Sequence, residues 1–276
     1  MKNALVINII FFLLVGVVVF NFSAKKDVLN PEEYSPFGAT SQLVGKYPPD
    51  FLIPLLNGDE FSLSETIGKK VIIINFFATW CTPCAEEMPE LSEFYTTHKN
   101  EDLIMIGIAL DEEKKVRAFT QKYQVAFPAA VDSGGEIQSL YRVNSFPVTL
   151  LIGADGIIKL YQSGQIMNAE VAFDKIYQEE LQAIKAHKGI SEDTYLKKIQ
   201  KQGEGKSQPM LARSVLPRRI RTISKSIKCP CHRTISVLAC RCGTADEIIE
   251  DMKKMKMDQM TDEQVIENLK TKYSLK

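Results

Sequence analysis

Seven consecutive uncharged residues, Val71-Ile72-Ile73-Ile74-Asn75-Phe76-Phe77, form the clearest element of the chain. A segment that is apolar on both alternating faces is the pattern of a strand buried inside a sheet. Turn residues Ala78-Thr79-Trp80 end it. Over residues 84–98 the period changes: Met88, Leu91 and Phe94-Tyr95 recur at helical spacing, with Glu86, Glu87, Glu90 and Glu93 on the other faces. Pro89 is expected to kink that helix. An apolar run over 103–110, a charged amphipathic segment over 112–123 and a strand-like piece around 129–131 follow. Strand, helix and strand in that order need a crossover connection, and so parallel strands. Pro147 leads into a further strand over 148–152, Asp155-Gly156 reads as a hairpin turn, and 157–161 as the antiparallel return. A helix over 168–187 closes the series. The pattern predicts an α/β fold, a central mixed sheet flanked by helices.

Both ends of the chain depart from this alternation. Residues 4–20 are apolar but for Asn8, Lys2 stands before them, and Lys25-Lys26 stand after them. The run lies at the short edge of the roughly 17–25 residues that span a bilayer, and no clear small-x-small cleavage site follows it. Residues 1–26 therefore read as an uncleaved signal anchor, and 27–200 as the main domain. Over 201–228 eight basic residues stand against the single acid Glu204, with Pro209 and Pro217 among them. That stretch reads as a basic linker, a solvated tether in the plainest case. Residues 229–276 form a small helical domain with helical patterns over 245–257 and 262–273, the second preceded by Thr261 as N-cap with Gln264 at the third position.

Composition narrows the function. The 276 residues are 45% hydrophobic, enough for a substantial core. With 34 basic and 34 acidic side chains the formal net charge is zero, so no global field recruits nucleic acid. All six cysteines fall in close pairs: Cys81 with Cys84, Cys229 with Cys231, and Cys240 with Cys242. A pair that closes so small a loop adds little chain-entropy stabilisation, which favours redox chemistry or metal ligation over a purely structural role. His98 and His187 have no evident partners and read as surface residues.

Cys81-Thr82-Pro83-Cys84 sits where the buried strand gives way to a helix. The unpaired amides of a helix N-terminus stabilise a thiolate at Cys81, which makes it the attacking thiol and Cys84 the resolving one. No histidine follows, which argues against haem attachment. From Asn75 through this motif to Glu87-Met88-Pro89, with Gly45-Lys46-Tyr47-Pro48-Pro49-Asp50-Phe51 before it and Ser145-Phe146-Pro147-Val148-Thr149 after it, the sequence resembles the thioredoxin superfamily. Within that superfamily it is similar to the TlpA-like and CcmG-like (DsbE-type) membrane-anchored branch over about 44–184. The resemblance implies a thioredoxin-like fold, a thiol:disulfide oxidoreductase, and a cis proline at Pro147 facing the redox pair. It places Asn75 where thioredoxin has a buried Asp, and offers Glu87 as the group that tunes the thiols or relays protons, although a helical Glu is by default a solvated face. Trp80, the only tryptophan, stands where it could pack over the disulfide.

The distal cysteines form a C-x-C, eight-residue gap, C-x-C array. Tetrahedral zinc could take all four, with His232 able to replace one, but paired cysteines of structural zinc sites are usually spaced by two to four residues. Cys231-His232 falls one residue short of a haem-attachment motif. The segment 229–276 resembles the small CcmH-like domain of cytochrome c assembly, with C-x-C pairs where that family has one C-x-x-C. Cys229, Cys231, Cys240 and Cys242 read first as a second redox site, with zinc ligation and structural disulfides as alternatives. The two resemblances together imply reduction of apocytochrome c cysteines by a redox-active disulfide with no further cofactor. The implied protein is membrane-anchored with its catalytic domain extracytoplasmic (periplasmic), and is re-reduced by a membrane thiol-reductase donor. General periplasmic disulfide oxidation or isomerisation is the alternative within enzymes, and a non-enzymatic apocytochrome-holding chaperone with a zinc-stabilised tail the alternative outside them.

Overall fold

The computed structural model describes residues 42–202, 216, 218–231, 236–240 and 242–275. The anchor assigned to 1–26, half of the basic segment (203–215 and 217) and His232 lie outside the described residues. No helix among the described residues is long and apolar enough to cross a membrane.

The main domain opens with a short antiparallel hairpin, β1 (Leu52–Pro54) and β2 (Glu60–Ser62), and a single-turn helix α1 (Leu63–Thr66) capped by Ser62. Next come β3 (Val71–Phe77), α2 (Thr82–His98), β4 (Leu103–Ala109), α3 (Glu113–Lys122), β5 (Ala129–Val131), the short α4 (Glu136–Leu140), β6 (Val148–Ile152), β7 (Ile158–Ser163), α5 (Ala169–Lys185) and α6 (Glu192–Gln202). Five strands form one sheet in the order β5-β4-β3-β6-β7, with β3, β4 and β5 parallel and β6 and β7 antiparallel to their neighbours. The crossover and the hairpin thus stand where the sequence pattern puts them. In the β6–β7 turn Gly153 N donates to Ile157 O and Gly156, at φ +79°, takes the left-handed conformation.

β3 is the central strand, and its alternation divides the core. Val71, Ile73 and Phe77 pack with α2 and α5 on one face, whereas Ile72, Ile74 and Phe76 pack on the other with Phe51, Phe61, Tyr141 and Tyr195. Beside β3, Gly107 of β4 must lack a side chain, because a Cβ there would lie 2.9 Å from the Phe77 ring. α2 continues through Pro89 to His98 as one helix, so the proline does not divide it.

Two expectations change. His98 is buried between the rings of Phe94 and Tyr177, with Nδ1 3.5 Å from Glu101 and Nε2 3.6 Å from Glu170, instead of lying on the surface. Within the segment read as a linker, residues Arg218–Ser226 form helix α7. Its apolar positions Ile220 and Ile223, and Ile227 just after it, are buried, and its cations meet acids from elsewhere: Arg219 with Asp262, Arg221 with Glu192 at 2.7 Å, and Lys225 with Glu65. Paired in this way, the basic residues dock the helix instead of solvating a tether. α8 (Gly243–Lys254) and α9 (Asp262–Tyr273) complete a third small core, and the Thr261–Gln264 capping box forms as the sequence predicts.

Candidate active site

The site begins at the carboxyl end of β3. Beyond Phe77 the chain turns, with Cys81 N donating to Ala78 O and Thr79 N donating to Asp111 Oδ2 at 2.6 Å. Cys81 is then the N-cap of α2, and the Cys84 amide donates to Cys81 Sγ at 3.2 Å. This is the sulfur toward which the free amides of the helix start are directed. Cys81 and Cys84 form a disulfide with Cα atoms 5.3 Å apart. The two sulfurs are not equivalent: Cys81 keeps 6% exposure and Cys84 none, so a partner reaches Cys81.

The surroundings of the pair are built by β6 and the loop before it. The Phe146–Pro147 peptide is cis. Trp80, 70% exposed, sets its ring edge-on to Phe146 at 5.9 Å, which places the 146–147 segment beside the start of α2. Trp80 is thus an exposed aromatic at the rim of the site. Met167 and Val171 are likewise exposed. Met167 follows Ile166, which packs in the same cluster as both cysteines.

Glu87 departs most from its default reading. It lies one helical turn after Cys84, wholly buried, with Oε1 accepting from Asn75 Nδ2 at 2.8 Å and Oε2 from the Ile166 amide at 2.9 Å. Asn75 Nδ2 also donates to Thr149 Oγ1 at 2.9 Å. Register explains the triad, since Asn75 on β3 faces Thr149 on β6. Loss of water around the carboxylate raises the Glu87 pKa from 4.5 to about 7, against the two hydrogen bonds that favour the ionised form. Sequence reasoning had Asn75 and Glu87 in view but missed Thr149 and the Ile166 amide. A polar residue within an apolar strand was the available signal for Thr149; a backbone amide leaves none.

The distal cysteines do not join this site. Cys81 and Cys84 pack on the α2 and α5 face of the sheet. The small C-terminal unit instead touches the hairpin and α1 on the opposite face, through Leu52, Ser236 N to Glu60, and Lys225 to Glu65. Within that unit Cys229, Cys240 and Cys242 gather together, whereas Cys231 turns its Sγ to Thr244 Oγ1 at 3.6 Å.

An accessible and a buried cysteine in C-x-x-C at a strand-to-helix junction, on a thioredoxin-like α/β fold, define a thiol:disulfide oxidoreductase. A family model, AhpC/TSA family, matches residues 44–161. The thiol-disulfide oxidoreductase ResA of Bacillus cereus is 34% identical over 156 residues, 56% of this chain and 85% of that protein. The thioredoxin-like protein YneN of Bacillus subtilis is 35% identical over 131 residues, 46% of this chain and 75% of that one. Among solved structures, StoA from Bacillus subtilis is similar at TM-score 0.41 and 26% identity, covering 45% of this chain and 94% of that one. The chain belongs to the thioredoxin-like thiol:disulfide oxidoreductases that include ResA. The family model ends at residue 161, well before the distal cysteines.

Proposed function

We propose that this oxidoreductase works as a reductant of extracytoplasmic protein disulfides, and that its substrate is the cysteine pair of apocytochrome c before haem attachment. The observation that carries the reductant reading is Glu87. A buried carboxyl behind Cys84 opposes a further negative charge nearby, so it raises the cost of thiolate in the reduced pair. Strong oxidants of this fold owe their potential to a stabilised reduced form, and Glu87 acts in the opposite sense.

In the reaction, the Cys81 thiolate attacks one sulfur of the partner disulfide, which breaks that bond, forms a Cys81–partner disulfide and releases the partner's other sulfur as a thiolate. Glu87, ionised, takes the proton of the Cys84 thiol. Cys84 then attacks Cys81 Sγ and expels the partner's second sulfur. Two electrons have moved to the partner, and the chain holds the Cys81–Cys84 disulfide described above. Pro147 and Trp80 border the exposed sulfur and receive the partner's extended backbone. A membrane thiol reductase returns the electrons, with residues 1–26 holding the protein at the membrane on the extracytoplasmic side. The cytochrome assignment is supported by the resemblance of residues 44–184 to the CcmG-like branch and of 229–276 to the CcmH-like domain.

The test is the equilibrium reduction potential of the full chain, with Cys81→Ser as control, beside reduction of an oxidised C-x-x-C-H peptide. A value at or below about −220 mV with stoichiometric peptide reduction is expected; a value near about −120 mV, or an untouched peptide, overturns the reading.

A further inference from the structure

Thiol exchange at Cys81 leaves four cysteines unused, and the fold around them is specific. After α7 the chain bends back on itself: Lys228 bridges Ser236, Val237 N donates to Ile227 O at 2.8 Å, and Leu238 N to Ser224 O at 3.1 Å. This return brings Cys240 beside Cys229. Cys242 is the N-cap of α8, its carbonyl accepting from the amides of Ala245 and Asp246. The outcome joins one pair visible in the sequence to a cysteine of the other, because Cys240 Sγ lies 3.4 Å from Cys242 Sγ and Cys229 Sγ lies 3.4 Å from the same atom. All three sulfurs fall within 4.8 Å of one another. Cys229 and Cys240 are wholly buried in the cluster of Ile248, Met252 and Val265, and only Cys242 is partly open.

Neither a disulfide nor a second exchange site accounts for this arrangement. A disulfide needs sulfurs about 2.05 Å apart and engages two of them, leaving the third buried and unused. An exchange site would use the partly open Cys242 with one buried partner, as Cys81 and Cys84 do, and would leave the third sulfur of the cluster without a role. Thiolates around one cation behave differently. With metal–sulfur bonds of about 2.3 Å in a tetrahedron, the ligand sulfurs sit about 3.8 Å apart. Two of the three separations, at 3.4 Å, fall a little short of that value and the third lies within 4.8 Å, and a shared central ion is what makes three mutual contacts useful.

We propose that Cys229, Cys240 and Cys242 bind one thiophilic d10 cation, zinc or copper(I), as a three-thiolate site in the small C-terminal unit. The donor set is all sulfur among the described residues, which selects soft cations over magnesium, calcium or manganese. Three thiols release three protons on binding, and the cation offsets the negative charge that burial would otherwise penalise. The site ties the end of α7, the return loop and the start of α8 to one point, in a unit small enough to gain from a metal staple. Cys231, on the same loop and exposed, is the thiol available to complete a tetrahedron.

The test uses the full chain carrying Cys81→Ser and Cys84→Ser, purified under reducing conditions without chelator. Elemental analysis should find one equivalent of zinc or copper, and the metal present distinguishes the two cations. Cobalt(II) added to stripped protein should give a thiolate-to-metal charge-transfer band and d–d bands that saturate at one equivalent and vanish on adding zinc. A thiol reagent should count one reactive distal cysteine with metal bound and four after chelation; a count of zero with metal bound means that Cys231 is the fourth ligand, and Cys231→Ser should then still hold one equivalent. These wild-type distal readouts need no variant of a buried cysteine to fold. Protein without metal, cobalt(II) without a charge-transfer band, or distal thiols that pass reversibly to a disulfide in a glutathione buffer would overturn the site. Loss of metal in the Cys81→Ser, Cys84→Ser chain relative to the unaltered one would overturn it as well, by placing the ion at the exchange pair.

Discussion

Glu87→Gln separates a proton-handling carboxyl from a merely structural one. Burial raises the folded-state pKa from 4.5 to about 7. A carboxyl with a raised folded pKa favours the native state while protonated, so its contribution is complete below pH 4.5 and fades as pH rises through 7. The span of about 2.5 pKa steps corresponds to about 3 kcal/mol of wild-type stability lost between pH 4.5 and pH 8. Glutamine cannot ionise and has no such slope. It does carry one amide where Glu87 offers an acceptor to either Asn75 Nδ2 or the Ile166 amide, so one buried donor loses its partner. That costs about 1–3 kcal/mol at every pH. The variant should be less stable than wild type near pH 4.5, and should match or exceed it at pH 8. Asp50, raised to about 6 by the same cause, slopes the same way in both proteins and cancels in the difference. Urea unfolding of the oxidised proteins across this range measures the effect. In exchange kinetics, the wild-type resolving step should show an apparent pKa near 7 that the variant lacks. Parallel stability curves for the two proteins, with an unchanged kinetic pH profile, would refute a titrating Glu87.

Other outcomes follow from the same geometry. With the exposed Cys231 also replaced by Ser, Cys84→Ser should accumulate a covalent adduct with a protein disulfide, seen by mass on a non-reducing gel, whereas Cys81→Ser should form none and lose exchange to background, because of the active-site pair only Cys81 is reachable. Trp80→Ala removes an exposed ring, so stability should stay within about 0.5 kcal/mol. KM for a protein disulfide should rise several-fold, while turnover of a small aromatic disulfide stays near wild type. Glu192→Ala leaves the buried Arg221 guanidinium without its 2.7 Å partner, and should cost up to about 3 kcal/mol, read as faster proteolysis around α7 with exchange at Cys81 retained.

Periodicity carried most of the fold into view, and where residue type was allowed to outvote it the reading failed. β3, the crossover, the 155–156 hairpin and the Cys81 junction all rest on runs or turns whose spacing is unambiguous. On α2 the residues Cys84, Glu87, Met88, Leu91, Phe94 and His98 make one stripe at three- and four-residue steps, and all are buried. Residue type alone puts His98 at the surface, and it gives Glu87 a solvated face by default beside the role at the thiols that the resemblance offers it. On α7 and at its two ends the same spacing joins Leu216, Ile220, Ile223 and Ile227, hidden in sequence by the density of Arg and Lys around them. The chemical solutions for polar groups near these stripes differ, and no local pattern encodes which is used: Glu87 moves toward neutrality, His98 lies between two rings and two carboxylates, and Arg221 takes Glu192 from a helix beyond the segment read as a tether. The distal cysteines failed to be legible for a related reason. Their contacts run from Cys229 to Cys242 across a return loop as well as from Cys240 to Cys242, so the C-x-C spacing held for the second pair and failed for the first, where Cys231 turns away. A titratable or nucleophilic residue on an apolar stripe is thus a better pointer to chemistry than its residue type alone, because burial obliges it to find a proton, a counter-charge or a ligand.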